Sequence, residues 1–232
     1  MFHQRTRDLY FAALLPLNKL NYWRWIVQRK ARSATSEIHL HLGCGPKYLR
    51  GFVNVDGNLF RKTDLWLDLR NGLPYPDGSI STVYSSHVLE HFYLDELHTI
   101  LCECHRVLRP GGGLRIVVPD MGGAVRAYLT GRADFFAGFP RDNKSLGGKL
   151  SNLLFCEGGH RQGLDFSYLL ELLQNAGFQD VRQLQSHESY VYAADIFPLL
   201  QKEEAGVSAI SLFVEARKLS GSGNGKCART GT

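Results

Sequence analysis

The chain has 232 residues, enough for one sizeable α/β domain and too few for two of ordinary size. Its hydrophobic fraction of 44% is ordinary for a globular protein, so a packed core is expected. The net charge of +5 divides unevenly: residues 1–36 carry seven Lys and Arg against Asp8 alone, residues 37–219 carry eighteen against twenty-one acids, and Lys226 and Arg229 supply the rest. The body is therefore mildly acidic, which argues against a nucleic-acid groove across it.

Residues 9–17, LYFAALLPL, form an apolar run behind Arg5 and Arg7. Pro16 and the lack of a small-residue cleavage site argue against a signal peptide, and the run is too short to span a bilayer. Residues 1–36 are expected to form a basic, aromatic helical segment broken at Pro16. Tyr22, Trp23, Trp25, Ile26 and Val27 among Arg24, Arg29, Lys30 and Arg32 suit peripheral membrane contact through residues 9–32. The alternative is a helix that packs on the domain or covers its active site.

From Glu37 onward, short β-like runs alternate with helical ones, the pattern of a mostly parallel sheet with helices on its faces. Residues 38–42, 52–55, 64–67 and 81–85 read as the first four strands. Only residues 43–51 separate the first two, fewer than a parallel crossover normally takes. Either the first helix is reduced to about a turn, or those two strands do not pair. Residues 94–108 repeat apolar side chains at i, i+3 and i+4, the stripe of one buried helix face. That helix is expected to stop at Arg109, before Pro110 and Gly111, Gly112 and Gly113. Residues 114–118 read as a continuous apolar strand. Residues 167–176 read as a helix closed by Gly177, and residues 181–184 and 210–216 as two late strands. Residues 220–232, rich in Gly and Ser, are expected to be disordered.

The five cysteines are odd in number and show no CxxC spacing. Cys102 and Cys104, two apart on a helix, do not share a face. Neither a disulfide framework nor a thiolate zinc site is expected, and a reducing, cytoplasmic location follows.

The chemistry concentrates in HLHLGCGPKYLRGFVNVD, residues 39–56. An apolar strand stops at Gly43-Cys44-Gly45, and a second ends on Asp56. Glycines after a buried strand let backbone N–H groups approach a ligand, and an acid at the neighbouring strand end can accept from a ribose diol. This is the geometry of a nucleoside-type cofactor site. The third glycine of the dinucleotide fingerprint is absent, and a two-glycine turn also occurs simply as a tight turn.

Five segments in order resemble the class I S-adenosylmethionine (SAM) dependent methyltransferases with the LGCG form of the first motif. They are HLGCGP, VNVD, DLRNGLPYPDGSISTVYSSHVLEHF, CHRVLRPGGGLRIVVPD and HRQGLDFSYLLELLQNAGF. The resemblance covers residues 38–216 and implies a Rossmann-like, mostly parallel seven-stranded sheet with helices on both faces and a truncated first helix. It departs from the pattern at Ser81, where an acid is usual.

The resemblance further implies SAM as cofactor. Gly43, Cys44 and Gly45 would line its amino-acid end, Asp56 its ribose, and Asp68 with the Leu69 backbone its adenine. Ser85, Ser86 and His87 would stand against the methionine moiety. His160 and His87 are the candidate general bases, with His91 and Asp120 behind them; no protein metal ligand is assigned. Residues 121–162 would form an acceptor-side insertion, with Arg126, Arg132, Arg141, Lys144, Lys149 and Arg161 beside Tyr128, Phe135, Phe136, Phe139 and Phe155. Arginines with aromatics suit a small-molecule or saccharide acceptor, methylated at oxygen by in-line displacement. Two other readings stand beside this one. The chain could bind SAM without catalysis, as a regulatory or scaffold protein. Residues 87–91 also match the HxxEH pattern of zinc hydrolases, but they follow a strand rather than lying on a long helix.

Overall fold

A computed structural model describes residues 4–29, 37–137, 143–221 and Cys227. Seven strands build one sheet: β1 (His39–Leu42), β2 (Val53–Asp56), β3 (Leu65–Trp66), β4 (Ile80–Ser86), β5 (Leu108–Pro119), β6 (Gln179–Leu184) and β7 (Ser211–Arg217). Their order is β3-β2-β1-β4-β5-β7-β6. β1 to β5 are mutually parallel, and β7 is antiparallel to both β5 and β6. The expected Rossmann-like sheet is present.

Alternation along the strands sends side chains to two cores. Val83, Leu114, Ile116, Val118, Leu212 and Val214 join the larger one, which α2 (Leu94–Val107) and α5 (Phe166–Asn175) cover through Leu97, Leu101, Leu169 and Leu173. Tyr84, Val117 and Phe213 face the other way, against Tyr192 and Leu200 of the segment that holds α6 (Phe197–Glu204). Helices therefore cover both faces. Arg115 lies on this second side fully buried, bonded to Glu204 and Glu215. A third cluster joins α3 (Met121–Leu129) to α4 (Leu146–Phe155) through Ala124, Ala127, Phe136 and Leu153.

β1 and β2 do pair in parallel, Leu40 opposite Val53, and no helix forms between them. The connection is instead turned back by side chains: Asn54 Nδ2 donates to the carbonyls of Leu49 and Phe52, and its Oδ1 accepts the Leu49 N–H. One buried asparagine thus supplies the hydrogen bonds a crossover helix would have satisfied internally.

Three expectations are corrected. The N-terminal helix is not broken at Pro16: α1 runs continuously over Gln4–Arg29 with the proline inside it. It packs on the domain: Asn18 is buried, and its Oδ1 accepts the N–H of Asp68 at 2.8 Å. Asn21 donates to the Trp66 carbonyl, and Trp25 meets Tyr75 edge to face. The side chains of Trp23, Arg24, Ile26, Val27, Arg29, Lys30 and Arg32, on which the membrane reading leaned, lie outside the described residues. No described helix is long and apolar enough to cross a membrane.

The second correction concerns Pro110 and the three glycines, which are not a turn. β5 begins at Leu108 and runs through them, because Gly111 donates to the Lys218 carbonyl and Gly112 accepts from the Lys218 N–H. A Cβ at Gly113 would stand 2.2 Å from Val191, so glycine is what lets this strand lie under that residue.

The third is a disulfide between Cys102 and Cys227, Cα atoms 5.8 Å apart, 125 residues distant in sequence. It fixes one point of the tail that was expected to be disordered; residues 222–226 and 228–232 lie outside the described part. A pair so far apart leaves no local spacing pattern, and its existence removes the ground for expecting a reducing compartment.

Candidate active site

In a doubly wound sheet, ligands bind outside the carboxyl ends of the strands where the order reverses. Here that point falls beside β1, whose neighbours are β2 and β4. An open cleft lies there. Gly43, Asp56, Gly57, Leu67, Asp68 and Leu69 line it from the β1, β2 and β3 ends. Arg70, Val88, His91, Phe92, Tyr93, Glu96 and Arg161 complete it.

Gly43 has φ +63°, and a Cβ there would stand 2.3 Å from Val88 Cγ2. Both the backbone conformation and the wall of the cleft require glycine at this position. The next glycine of the motif is held by the acid across from it: Gly45 N–H donates to Asp56 Oδ2 at 2.8 Å, and Asn58 N–H donates to Oδ1 at 2.7 Å. Asp56 therefore braces the loops on both sides while bordering the cleft. Each oxygen keeps a further lone pair for a ligand hydroxyl.

Asp68 is buried and committed. Its carboxylate pairs with Arg70, Nη2 to Oδ2 at 2.6 Å, and caps the turn Leu69–Asn71 through the Arg70 N–H. The Asp68 side chain serves mainly to hold that turn, in which the Leu69 carbonyl accepts the Gly72 N–H.

The remaining expected residues do not line the cleft. Cys44 is buried beneath it, and burial, with Asp56 and Asp64 nearby, pushes its thiol up to about 12; it stays a neutral thiol. Ser85 is buried with its hydroxyl unbonded, and Ser86 ends β4. His87 stands in the left-handed region at φ 54°, a strained conformation for a non-glycine residue. Its Nε2 lies 2.9 Å from Ser211 Oγ. His160 is buried rather than open to the cleft, its Nδ1 2.9 Å from the Leu153 carbonyl and its Nε2 4.0 Å from Glu90 Oε1. Burial holds the His160 imidazole below its ordinary value, against the pull of Glu90. The HxxEH segment is not helical in the way a zinc hydrolase needs: His87 follows directly on a strand, and Leu89–His91 is a single 3₁₀ turn.

Sequence reasoning placed Arg161 on the acceptor side but missed its partner on the far wall. Arg161 stacks its guanidinium over the Tyr93 ring at 5.0 Å, and Tyr93 precedes α2. A cation adjacent to His160 and an aromatic pair after LEH were visible in the sequence. Nothing in their spacing showed that they meet.

A family profile described as Methyltransferase domain matches residues 57–116. The matched segment runs from the end of β2 into β5, past the strand ends that border the cleft, and is similar to a methyltransferase domain. The chain is similar to a probable S-adenosylmethionine-dependent methyltransferase of Mycolicibacterium smegmatis, 28% identical over 180 residues. That alignment covers 68% of this chain and 60% of the relative, so the chain spans less than two thirds of that protein. Among solved structures it is similar to a SAM-dependent methyltransferase from Archaeoglobus fulgidus, with 15% identity, a TM-score of 0.46, and 91% and 99% of the two chains covered. It is also similar to phosphoethanolamine N-methyltransferase 2 of Haemonchus contortus in complex with S-adenosyl-L-methionine, with 14% identity, a TM-score of 0.46, and 87% and 53% covered.

Proposed function

We propose that this chain transfers a methyl group from SAM to an oxygen of a small-molecule or saccharide acceptor. The observation that carries the cofactor half is the convergence of Gly43, Asp56, Asp68 and Leu69, from three different strand ends, on one cleft. The residues fit the group: a glycine where a Cβ would collide with Val88, a carboxylate with lone pairs to spare, and an apolar floor from Leu67 and Leu69. When bound, SAM supplies a methyl on a sulfonium leaving group. The protein's part is then to hold the acceptor in line, which can contribute up to ~7–11 kcal/mol.

The acceptor would enter along the wall formed by Arg161, Tyr93 and Glu96, with the segment 121–162 beside it. A guanidinium stacked on a ring suits an anionic or sugar-like ligand. If the acceptor is a hydroxyl it must lose a proton, and His91, which lines the cleft, would take it, which typically adds about 10²–10⁴-fold. α1 would support peripheral membrane contact: Leu9, Leu17 and Leu20 are exposed on it, and its Tyr10 hydroxyl accepts the N–H of Leu59, next to the exposed Phe60.

The test is a pair of thermal melts with SAM and S-adenosylhomocysteine, followed by transfer from methyl-labelled SAM to a panel of sugars and hydroxylated or anionic small molecules. At ~100 times Kd, either species should raise Tm by roughly 5–11 °C. Labelled product from the panel would establish the reaction. Melting shifts without any transfer would favour the non-catalytic SAM-binding alternative, and no shift at all would sink the cofactor site.

A further inference from the structure

α2 carries two cysteines two residues apart, and the fold puts them to different uses. Cys104 is buried in the main core, where burial pushes its thiol up and keeps it inert. Cys102, on another face of the helix, is half-buried, and its sulfur is bonded to that of Cys227, also half-buried. None of the bridge residues lines the cleft.

The two sulfurs of the bridge stand in opposite surroundings. His98, one turn before Cys102 on the same helix face, brings its ring nitrogens to 3.8 and 3.9 Å from Cys102 Sγ. A protonated imidazole beside a sulfur favours its thiolate. Cys227 Sγ instead lies 3.7 Å from the Ala176 carbonyl oxygen, just after α5. When the bridge is open, that carbonyl accepts from the neutral thiol and disfavours the thiolate. Exchange breaks a disulfide toward the sulfur that makes the better leaving thiolate, so the incoming thiolate attacks the other sulfur. Here Cys102 is the sulfur that leaves and Cys227 the one attacked.

We propose that the Cys102–Cys227 bridge is a reversible exchange site for small thiols such as glutathione, with His98 stabilising the departing Cys102 thiolate. In the first step the thiolate of one small thiol bonds to Cys227 Sγ while the Cys102–Cys227 bond breaks. The electron pair goes to Cys102 Sγ, which takes a proton from the His98 imidazolium. In the second step the thiolate of another small thiol attacks the small-molecule sulfur of the mixed disulfide, and Cys227 leaves and is protonated by solvent. Two small thiols are oxidised to their disulfide, and the bridge is reduced to two thiols. In sequence Lys226 precedes Cys227 and Arg229 follows two residues later, cations that draw an anionic thiol. Closing the bridge holds Cys227 against the main core and links points 125 residues apart. So long a loop strongly constrains the unfolded chain, and reduction therefore lowers stability. Nothing in this rests on the methyltransferase reading.

The experiment incubates the folded full chain in glutathione buffers running from mostly reduced to mostly oxidised. Free thiols are then alkylated, peptides are mapped by mass spectrometry, and Tm and circular dichroism are recorded on the same samples. The bridge is expected to open and re-close while the chain stays folded, with glutathione found on Cys227 in the intermediate and Tm lower in the reduced form. In His98→Leu, opening and re-closing should slow by roughly 3–10-fold at unchanged helix content. In Cys102→Ser, where no neighbouring thiol can resolve it, the glutathione adduct on Cys227 should accumulate. A bridge that never forms, or that opens only once the chain unfolds, would overturn the proposal. Glutathione chiefly on Cys102, or rates unchanged in His98→Leu, would do the same. So would zinc held by the reduced chain and lost in His98→Leu, because the donor atoms of His98, Cys102 and Cys227 lie within 4.8 Å of one another and would then serve a metal.

Discussion

The N–H of Gly45 donates to Asp56 Oδ2 at 2.8 Å, so the acid proposed to hold the ribose also holds the glycine loop in place. Asp56→Ala is therefore expected to do two things at once. It removes the ligand carboxylate, and it leaves a backbone donor unpaired, at roughly 1–3 kcal/mol if water cannot reach it. Asp56→Asn keeps an acceptor for Gly45 and should recover most of the stability while binding SAM weakly. Calorimetric titration with SAM and urea unfolding separate the two effects. Equal SAM affinity in wild type and Asp56→Ala would remove Asp56 from the site.

Asn18 links the N-terminal helix to the adenine side of the cleft. It accepts the N–H of Asp68 at 2.8 Å and a hydrogen from Asn71 Nδ2 at 3.0 Å. Asn18→Ala should lower stability by about 1–3 kcal/mol and speed hydrogen exchange at the Asp68 amide. Asn18→Asp, which retains the accepting oxygen, should restore the protection. Unchanged exchange at Asp68 in Asn18→Ala would mean that α1 does not brace this loop.

The centre of the sheet was legible because its strands are buried on both faces; β1 is wholly buried and was found to within one residue. The proposed cofactor half of the cleft was legible because backbone geometry constrains its residues: glycine is required at Gly43, and the strand-end acid Asp56 accepts the Gly45 N–H. What lay hidden was set by distant partners. Arg161 over Tyr93, Asn18 under Asp68, and Cys102 with Cys227 depend on chain segments that meet only in the fold. Pro16 and Gly111–Gly113 misled for the same reason. Local propensity marks them as breaks, whereas packing on β3 and pairing with β7 carry the helix and the strand through.

Arg115 is a buried charge that sequence reading gave no role. It meets Glu204 through two bonds of 2.8 Å and Glu215 at 2.9 Å, with all three side chains at most 1% exposed. Burial pushes the Glu204 carboxyl up, and Arg115 holds it back. Arg115→Met strands the buried Glu204 carboxylate and should cost about 3–5 kcal/mol; Arg115→Lys cannot make the paired bonds and should be nearly as costly. Glu215 also accepts from Ser189, Tyr190 and Val191, so it keeps donors when the arginine is gone. The double variant Arg115→Met/Glu204→Met should therefore recover part of the loss. Urea unfolding of the three variants checks this, and a double variant no more stable than Arg115→Met would contradict it.

His105 gives the fold an acid sensitivity independent of the cleft. It is buried on α2 with its ring edge against Phe178 at 5.1 Å, and its Nε2 has no hydrogen-bond partner. Burial, helped by nearby Lys218, pushes its pKa down from 6.5 to about 4. The unfolded chain thus takes up this proton near pH 6.5, while the folded chain refuses it until about pH 4. Its contribution is complete above the unfolded value and is lost as pH falls through the folded one. The size is at most roughly 3 kcal/mol, at 1.36 kcal/mol per unit. His39, His41 and His160 are lowered by burial as well and act in the same direction. Urea unfolding between pH 7.5 and 4.5 should show stability falling with acid. In His105→Leu the slope should be shallower by up to about 1.4 kcal/mol per pH unit, one proton's worth. If the two slopes coincide, His105 takes up its proton equally in both states, and burial does not hold it neutral.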